Sequence, residues 1–204
     1  MTKLFSILGS TGSIGITTLK ILRKKKIFKI NLLSADKKFN LICKQIKEFK
    51  PQIFVINNFN VFLKVKKKLK KNKKKIIYSK NFSYKLLKYS DVTLSAIPGI
   101  EGLEPTIEMV KKSRKLLIAN KESIICGWNL IKNASKKSKT KLVPVDSEHF
   151  SIMQLIKNYK MKDIQRIYLT ASGGPFLNKQ DSQLKKIKPE QALKHPKWKM
   201  GKKI

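Results

Sequence analysis

The stretch "ILGSTGSIG" (7–15) decides how the chain folds. An apolar run, "KLFSIL" (3–8), leads into it, and an amphipathic run over 14–24 follows. Gly9, Gly12 and Gly15 therefore fall where a first strand turns into a first helix. In a nucleotide-binding turn each glycine has its own task. The first lets the chain leave the strand sharply, the second lets backbone come close to a pyrophosphate, and the third lets helix and strand pack tightly. The helix start then offers its amides and the positive end of its dipole to the phosphates. Ser10, Thr11 and Ser13 add hydroxyl donors. The competing reading, an ordinary glycine-rich turn, does not account for three glycines at a strand-to-helix junction.

The same alternation continues outward. Strands are expected at 3–8, 28–34, 52–57, 75–79, 91–97, 115–119, 141–145 and 166–172. Helices are expected near 14–24, 40–49, 59–71, 82–88, 101–112, 122–137 and 147–158, and a polar helix leading into a loop over 185–204. Strand and helix in turn imply an α/β fold, a mostly parallel sheet covered on both faces. We expect a Rossmann-type NADP-binding domain over 1–145, followed by the start of an α/β catalytic domain over 146–204.

The chain has 204 residues, 41% of them hydrophobic, and a formal charge of +35. Such a charge suggests a nucleic-acid or anionic-membrane surface. The residue types argue otherwise: Arg23, Arg114 and Arg166 are the only arginines among 47 basic residues. Readers of bases and phosphates favour arginine for its bidentate fork. In the densest run, "KVKKKLKKNKKK" (64–75), Val65 and Leu69 stand four apart, as on a surface helix with a solvated lysine face. A specific nucleic-acid partner is therefore not expected. No apolar run approaches the roughly 18 residues of a membrane span, and the N-terminus has neither signal-peptide nor transit-peptide character. Cys43 and Cys126 are isolated, as reduced thiols of a cytoplasmic protein would be.

Which dinucleotide binds depends on the end of the second strand, "SADKKF" (34–39). Asp36 suits the ribose 2′-hydroxyl of NAD, and Lys37 and Lys38 suit the 2′-phosphate of NADP. Two cations against one acid favour NADPH. Further on, "VPVDSEH" (143–149) puts Asp146 and Glu148 at another strand-to-helix junction. They read either as helix-capping acids or as hard oxygen ligands for Mg²⁺ or Mn²⁺. His149 reads as a third ligand or as structural. "LTASGGPF" (169–176) reads as a plain turn or as an anion-binding turn around Ser172. "KHPKWKMG" (194–201), with His195, Trp198 and Met200, looks like a lid.

Taken in order, "GSTGSIG" (9–15), "IANKES" (118–123), "PVDSEH" (144–149), "LTASGGPF" (169–176) and "HPKWKMGKKI" (195–204) resemble the 1-deoxy-D-xylulose 5-phosphate reductoisomerase family. The resemblance implies NADPH, a divalent metal, and rearrangement plus reduction of that substrate to 2-C-methyl-D-erythritol 4-phosphate in isoprenoid biosynthesis. It implies that Thr11, Gly12, Ser13 and Ile14 line the NADPH phosphates and that Asn120 and Glu122 contact the cofactor. Lys121 would lie between cofactor and substrate, and Asp146 and Glu148 would hold the metal. Ser147, Glu148, Ser172, His195 and Trp198 would bind the sugar phosphate, with Trp198 and Met200 in the lid. A bacterial cytoplasmic enzyme, homodimeric at full length, is the implied setting. The chain departs from the family pattern at Asp36–Lys38 and at Leu177, where arginine is common. It also stops before further metal and phosphate ligands, so we expect an N-terminal portion that is inactive alone. The alternatives are a basic nucleic-acid-binding protein, or a semialdehyde-dehydrogenase-type reductase with Cys126 as nucleophile.

Overall fold

The computed structural model describes residues 2–25, 27–70, 75–169, 174–192 and 194. It contains two compact units, Met1–Phe150 and Ser151–Ile204.

Among the described residues the first unit is built on seven parallel strands: β1 (Lys3–Leu8), β2 (Phe28–Ala35), β3 (Ile53–Ile56), β4 (Ile76–Tyr78), β5 (Ser90–Ser95), β6 (Ser113–Ile118) and β7 (Lys141–Pro144). Their order across the sheet is β4-β3-β2-β1-β5-β6-β7. The chain winds outward one way from β1 as far as β4, then returns to the other side of β1. Its direction of travel reverses between β1 and β5, and such a reversal opens a crevice beyond the carboxyl ends of those two strands.

The helices of this unit are α1 (Ser13–Arg23), α2 (Phe39–Phe49), α3 (Phe59–Lys68), α4 (Leu103–Lys111) and α5 (Lys121–Ser138), with the start of α6 (Ser147–Ile156). Leu19 and Leu22 of α1, Ile42 and Ile46 of α2, and Val65 of α3 pack with Ile7, Leu33 and Phe54 on one face of the sheet. Met109 and Val110 of α4 and Ile131 of α5 pack with Leu8, Leu32 and Val55 on the other. Neighbouring strand residues thus serve opposite cores, which is why these strands read as continuous apolar runs. Val65 on α3 and Leu69 just after it are buried while Lys64, Lys67, Lys68 and Lys70 are exposed, so the described start of the lysine run is the solvated side of a packed helix and its end.

Among the described residues two expected elements do not form. In place of a helix over 82–88 there are 3-10 turns at Ser79–Asn81 and Tyr84–Leu86. The Ser83 hydroxyl accepts the Lys85 amide at 3.4 Å, a local bond that competes with helix formation. The strand expected at 166–172 does not form over its described part, 166–169. Ile167, Tyr168 and Leu169 are exposed there, and among the described residues no strand pairs with them. Alternation yields a strand only beside a partner that takes up its backbone hydrogen bonds.

The second unit holds the rest of α6, 3-10 turns at Met161–Asp163 and Gly174–Phe176, and the short helices α7 (Asp181–Leu184) and α8 (Pro189–Ala192), the last lying against Gly174–Phe176. Among the described residues no helix is long and apolar enough to cross a membrane.

Candidate functional site

Because the sheet is parallel, every strand of it ends on one edge. The register sets Leu8, Ser95, Ile118 and Pro144 level across β1, β5, β6 and β7. The segments that leave these strands start at Gly9, Ala96, Ala119 and Val145, a row about 14 Å long at the usual strand spacing. Asp36–Lys38 leave β2 on the same edge.

Gly9 stands at φ +81°, and a Cβ there would lie 2.6 Å from the Ala96 carbonyl oxygen. A Cβ on Gly15 would lie 2.5 Å from the Gly9 carbonyl oxygen. These two glycines let the first turn press against β5 and against α1. Gly12 differs: its nearest neighbour would be 3.4 Å away, and it serves as the N-cap of α1 without a side-chain cap. The first amides of α1 are therefore open to an anion. The turn is held from α2. The Ser10 hydroxyl donates to Gln45 Oε1 at 2.7 Å, and Gln45 Nε2 donates to the Ser10 carbonyl at 2.9 Å. Gly9 N–H donates to Ser34 Oγ at 3.1 Å. The wholly buried Ser10 side chain is thus engaged inside the protein, while Ser13 and Ile14 are exposed on the first turn of α1. Gln45 was not among the residues singled out from sequence. Its signal is a polar side chain on the otherwise apolar buried face of α2, with Ile42, Cys43 and Ile46.

At the end of β2, Asp36 and Lys37 face one another at 3.9 Å, both well exposed. Lys38 reaches across to the glycine turn, its Nζ donating to the Thr11 carbonyl at 3.1 Å. An ammonium group therefore stands at the mouth of the turn, with the neighbouring acid opposed by its own lysine.

At the end of β6, Asn120 caps α5, its Oδ1 accepting the Ser123 amide at 3.0 Å. Its Nδ2 donates to the carbonyls of Ile97 and Gly99 in the loop after β5. Lys121 and Glu122 follow in the first turn of α5, Lys121 exposed. Cys126 is exposed on the same helix, and among the described residues no hydrogen bond reaches its thiol.

At the end of β7, Val145 N–H donates to the Ile118 carbonyl at 2.8 Å and holds the chain level with β6. Asp146 then begins α6. Its Oδ1 lies 2.7 Å from His149 Nδ1 and accepts the His149 amide at 3.3 Å, so Asp146 does cap the helix. The His149 ring bond is the main reason its carboxyl titrates below the usual carboxylate range; partial burial opposes the shift, while the His149 amide and the nearby Glu148 carboxyl add to it. Ser147 Oγ donates to Glu148 Oε2 at 3.2 Å. Among the described residues no group of three His, Cys, Asp or Glu side chains could hold a metal ion. Asp146 and Glu148 offer two neighbouring carboxylates, which fits the habit of Mg²⁺ of taking one or two carboxylates and filling the rest of its shell with water and substrate. Ser172, His195, Trp198 and Met200 lie outside the described residues.

Residues 5–127 match the family model for 1-deoxy-D-xylulose 5-phosphate reductoisomerase, and residues 142–204 match the model for its C-terminal domain. The chain belongs to this family. It is 46% identical to the 1-deoxy-D-xylulose 5-phosphate reductoisomerase of Pelagibacter ubique over 99% of this chain and 53% of the relative. It is 43% identical to that of Clostridium novyi over 97% of this chain and 53% of the relative. It is similar in structure to the enzyme of Zymomonas mobilis in complex with NADPH, with TM-score 0.87 and 27% identity over 95% of this chain and 52% of the other. A DOX-P reductoisomerase in complex with NADPH, fosmidomycin and magnesium matches with TM-score 0.82 and 28% identity, over 98% of this chain and 52% of the other. The chain spans about half the length of the curated relatives it matches. The family match covers the glycine turn, Asn120–Glu122 and the Asp146–Glu148 pair alike.

Proposed function

We propose that the protein uses NADPH and a divalent metal to rearrange and reduce 1-deoxy-D-xylulose 5-phosphate to 2-C-methyl-D-erythritol 4-phosphate. The observation that carries this reading is the row of strand ends. A glycine turn at the topological reversal and a carboxylate pair share one edge, with Asn120–Glu122 between them. Thr11, Gly12, Ser13 and Ile14 hold the dinucleotide phosphates through the uncapped start of α1. Lys38, seated on the Thr11 carbonyl, selects the 2′-phosphate of NADPH, and Lys37 offsets Asp36.

Bound NADPH supplies hydride to a carbonyl carbon, and a bound Mg²⁺ or Mn²⁺ supplies positive charge to the oxygens beside it. Asp146 and Glu148 hold that metal, and Ser147 and Glu148 bind the substrate beside it. The His149 bond favours the ionised form of Asp146, which is the form a metal needs. Lys121 presents an ammonium group between the cofactor and substrate ends of the row, and Glu122 faces the cofactor. Ser172, His195 and Trp198 complete the hold on the substrate.

Calorimetric titration of the protein with NADPH and with NADH tests the cofactor half. Tighter binding of NADPH is expected; equal or reversed affinity would show that Asp36 governs the choice. Mn²⁺ binding followed by electron paramagnetic resonance tests the metal half, and loss of binding in Glu148→Gln is expected. A folded protein that binds neither NADPH nor Mn²⁺ overturns the proposal.

A further inference from the structure

Asn120 is 2% exposed, and each polar atom of its side chain is committed within the protein. Oδ1 accepts the Ser123 amide, which also fixes which end of the carboxamide is oxygen. Both Nδ2 hydrogens are taken up, one by the Ile97 carbonyl and one by the Gly99 carbonyl at 3.0 Å. A carboxamide has two donor hydrogens, so no donor remains for a ligand.

Gly102 independently marks the same contact. A Cβ at Gly102 would lie 2.1 Å from Asn120 Nδ2 and 2.6 Å from the Ile97 carbonyl oxygen. Its backbone is ordinary, with φ −78° and ψ −13°, so conformation does not demand glycine here. What demands it is the space filled by Asn120 and by the Ile97 carbonyl to which Asn120 is bonded. The Gly102 amide in turn donates to the Gly99 carbonyl at 3.3 Å, closing the loop on itself.

We propose that Asn120 and Gly102 form a positioning latch that fixes the loop after β5 against the start of α5, and that the Asn120 carboxamide acts on the cofactor through this loop and through Lys121 and Glu122 rather than by donating a hydrogen bond to it. The loop starts at Ala96, whose carbonyl packs against Gly9 in the dinucleotide turn. The latch thus joins the cofactor turn to the segment that carries Lys121. This inference rests on the reading that the edge binds NADPH.

The test uses Asn120→Ser, Gly102→Ala and the double variant, with NADPH titration and amide hydrogen exchange. Serine keeps a neutral cap acceptor for the Ser123 amide but cannot reach both carbonyls. In Asn120→Ser we expect Ser123 to stay protected, the Gly102 amide to exchange at least tenfold faster, and NADPH to bind about tenfold more weakly. Gly102→Ala, remote from the proposed cofactor contacts, should weaken NADPH binding by a similar factor. The double variant should lose less than twofold beyond either single change, because both break one contact. Wild-type NADPH affinity in Asn120→Ser would show a cap and nothing more. Losses that multiply in the double variant would show that Asn120 meets the cofactor directly. Unchanged exchange at Gly102 would overturn the latch itself. If the wild-type protein does not bind NADPH, the functional proposal fails, and the exchange data still decide whether the latch exists.

Discussion

Replacing Gly9 by alanine separates folding from binding at the dinucleotide turn. The φ of +81° at Gly9 costs an L-residue roughly 1–2 kcal/mol. The new methyl would also lie 2.6 Å from the Ala96 carbonyl oxygen and 2.8 Å from its carbon. Neither atom yields readily, since the Ala96 amide donates to the Leu8 carbonyl at 3.0 Å and continues the β1–β5 ladder. Overpacking against fixed backbone adds about 1–3 kcal/mol, for a total of about 3 kcal/mol. With a urea slope of roughly 1–3 kcal/mol/M, the midpoint should fall by about 1–3 M. Gly99→Ala is the control. Gly99 has φ +75° but nothing within 4 Å of its would-be Cβ, so only the conformational cost of roughly 1–2 kcal/mol applies. Gly12→Ala should invert the pattern. Its backbone is extended and its neighbour ordinary, so stability falls by about 1 kcal/mol or less. Its methyl, however, covers the open amides of α1, and NADPH affinity should fall tenfold or more. The assays are urea denaturation followed by circular dichroism and calorimetric NADPH titration. Equal midpoints for Gly9→Ala and Gly99→Ala would refute the close approach of the turn to β5. Unimpaired NADPH binding by Gly12→Ala would refute the site.

Three further outcomes follow from the same geometry. Lys38→Ala should weaken NADPH about 10- to 100-fold and leave NADH nearly unchanged, since a hydrogen bond to a charged group is worth about 1.5–3 kcal/mol; parallel titrations with the two nucleotides check it. Dithionitrobenzoate at pH 8 should label Cys126 within minutes and Cys43 only after denaturation, because Cys126 is exposed while burial shields the Cys43 thiol and raises its pKa; a mass shift of one label per native chain checks it. The depressed pKa of Asp146 stabilises the fold above the ordinary carboxylate value of about 3.9 and ceases to do so as pH falls through the lower folded value. The stability gap between the protein and Asp146→Asn should therefore close as pH drops below about 4, as read from urea midpoints across an acid series.

Much of the fold was legible because a parallel sheet covered on both faces writes a strong signal. Its strands are continuous apolar runs, such as "NLL" in β2, where Leu32 serves one core and Leu33 the other. Strand order was not legible, since it depends on which neighbours pair across the sheet rather than on local pattern. Local pattern also misled twice. "YKLLKYS" has helical spacing, but Leu87 is buried in the second core while serine bonds and 3-10 turns shape the backbone around it. "RIYL" alternates like a strand but has no strand beside it among the described residues.

The site was legible as positions and less so as roles. Sequence spacing put Gly9–Gly15 and Asp146–Glu148 at strand ends, the resemblance pointed to Asn120–Glu122, and a parallel sheet brings strand ends to one edge whatever the side chains do. Which way a polar side chain turns at such an edge depends on the partners it finds. Ser10 finds Gln45 and turns inward, and Asn120 finds two carbonyls and an amide. Among the described residues Lys38 finds the Thr11 carbonyl alone, a single acceptor for three ammonium hydrogens, and so keeps donors for an anion. Counting donors against partners therefore divides the motif residues into those that build the edge and those that face what it binds. Asp146 belongs to both groups. One oxygen caps α6 and meets His149, while a carboxylate carries about four lone-pair sites, enough to hold a helix start and a metal together. The capping and metal-binding readings of "PVDSEH" are therefore compatible: the cap would orient the carboxylate for the proposed metal.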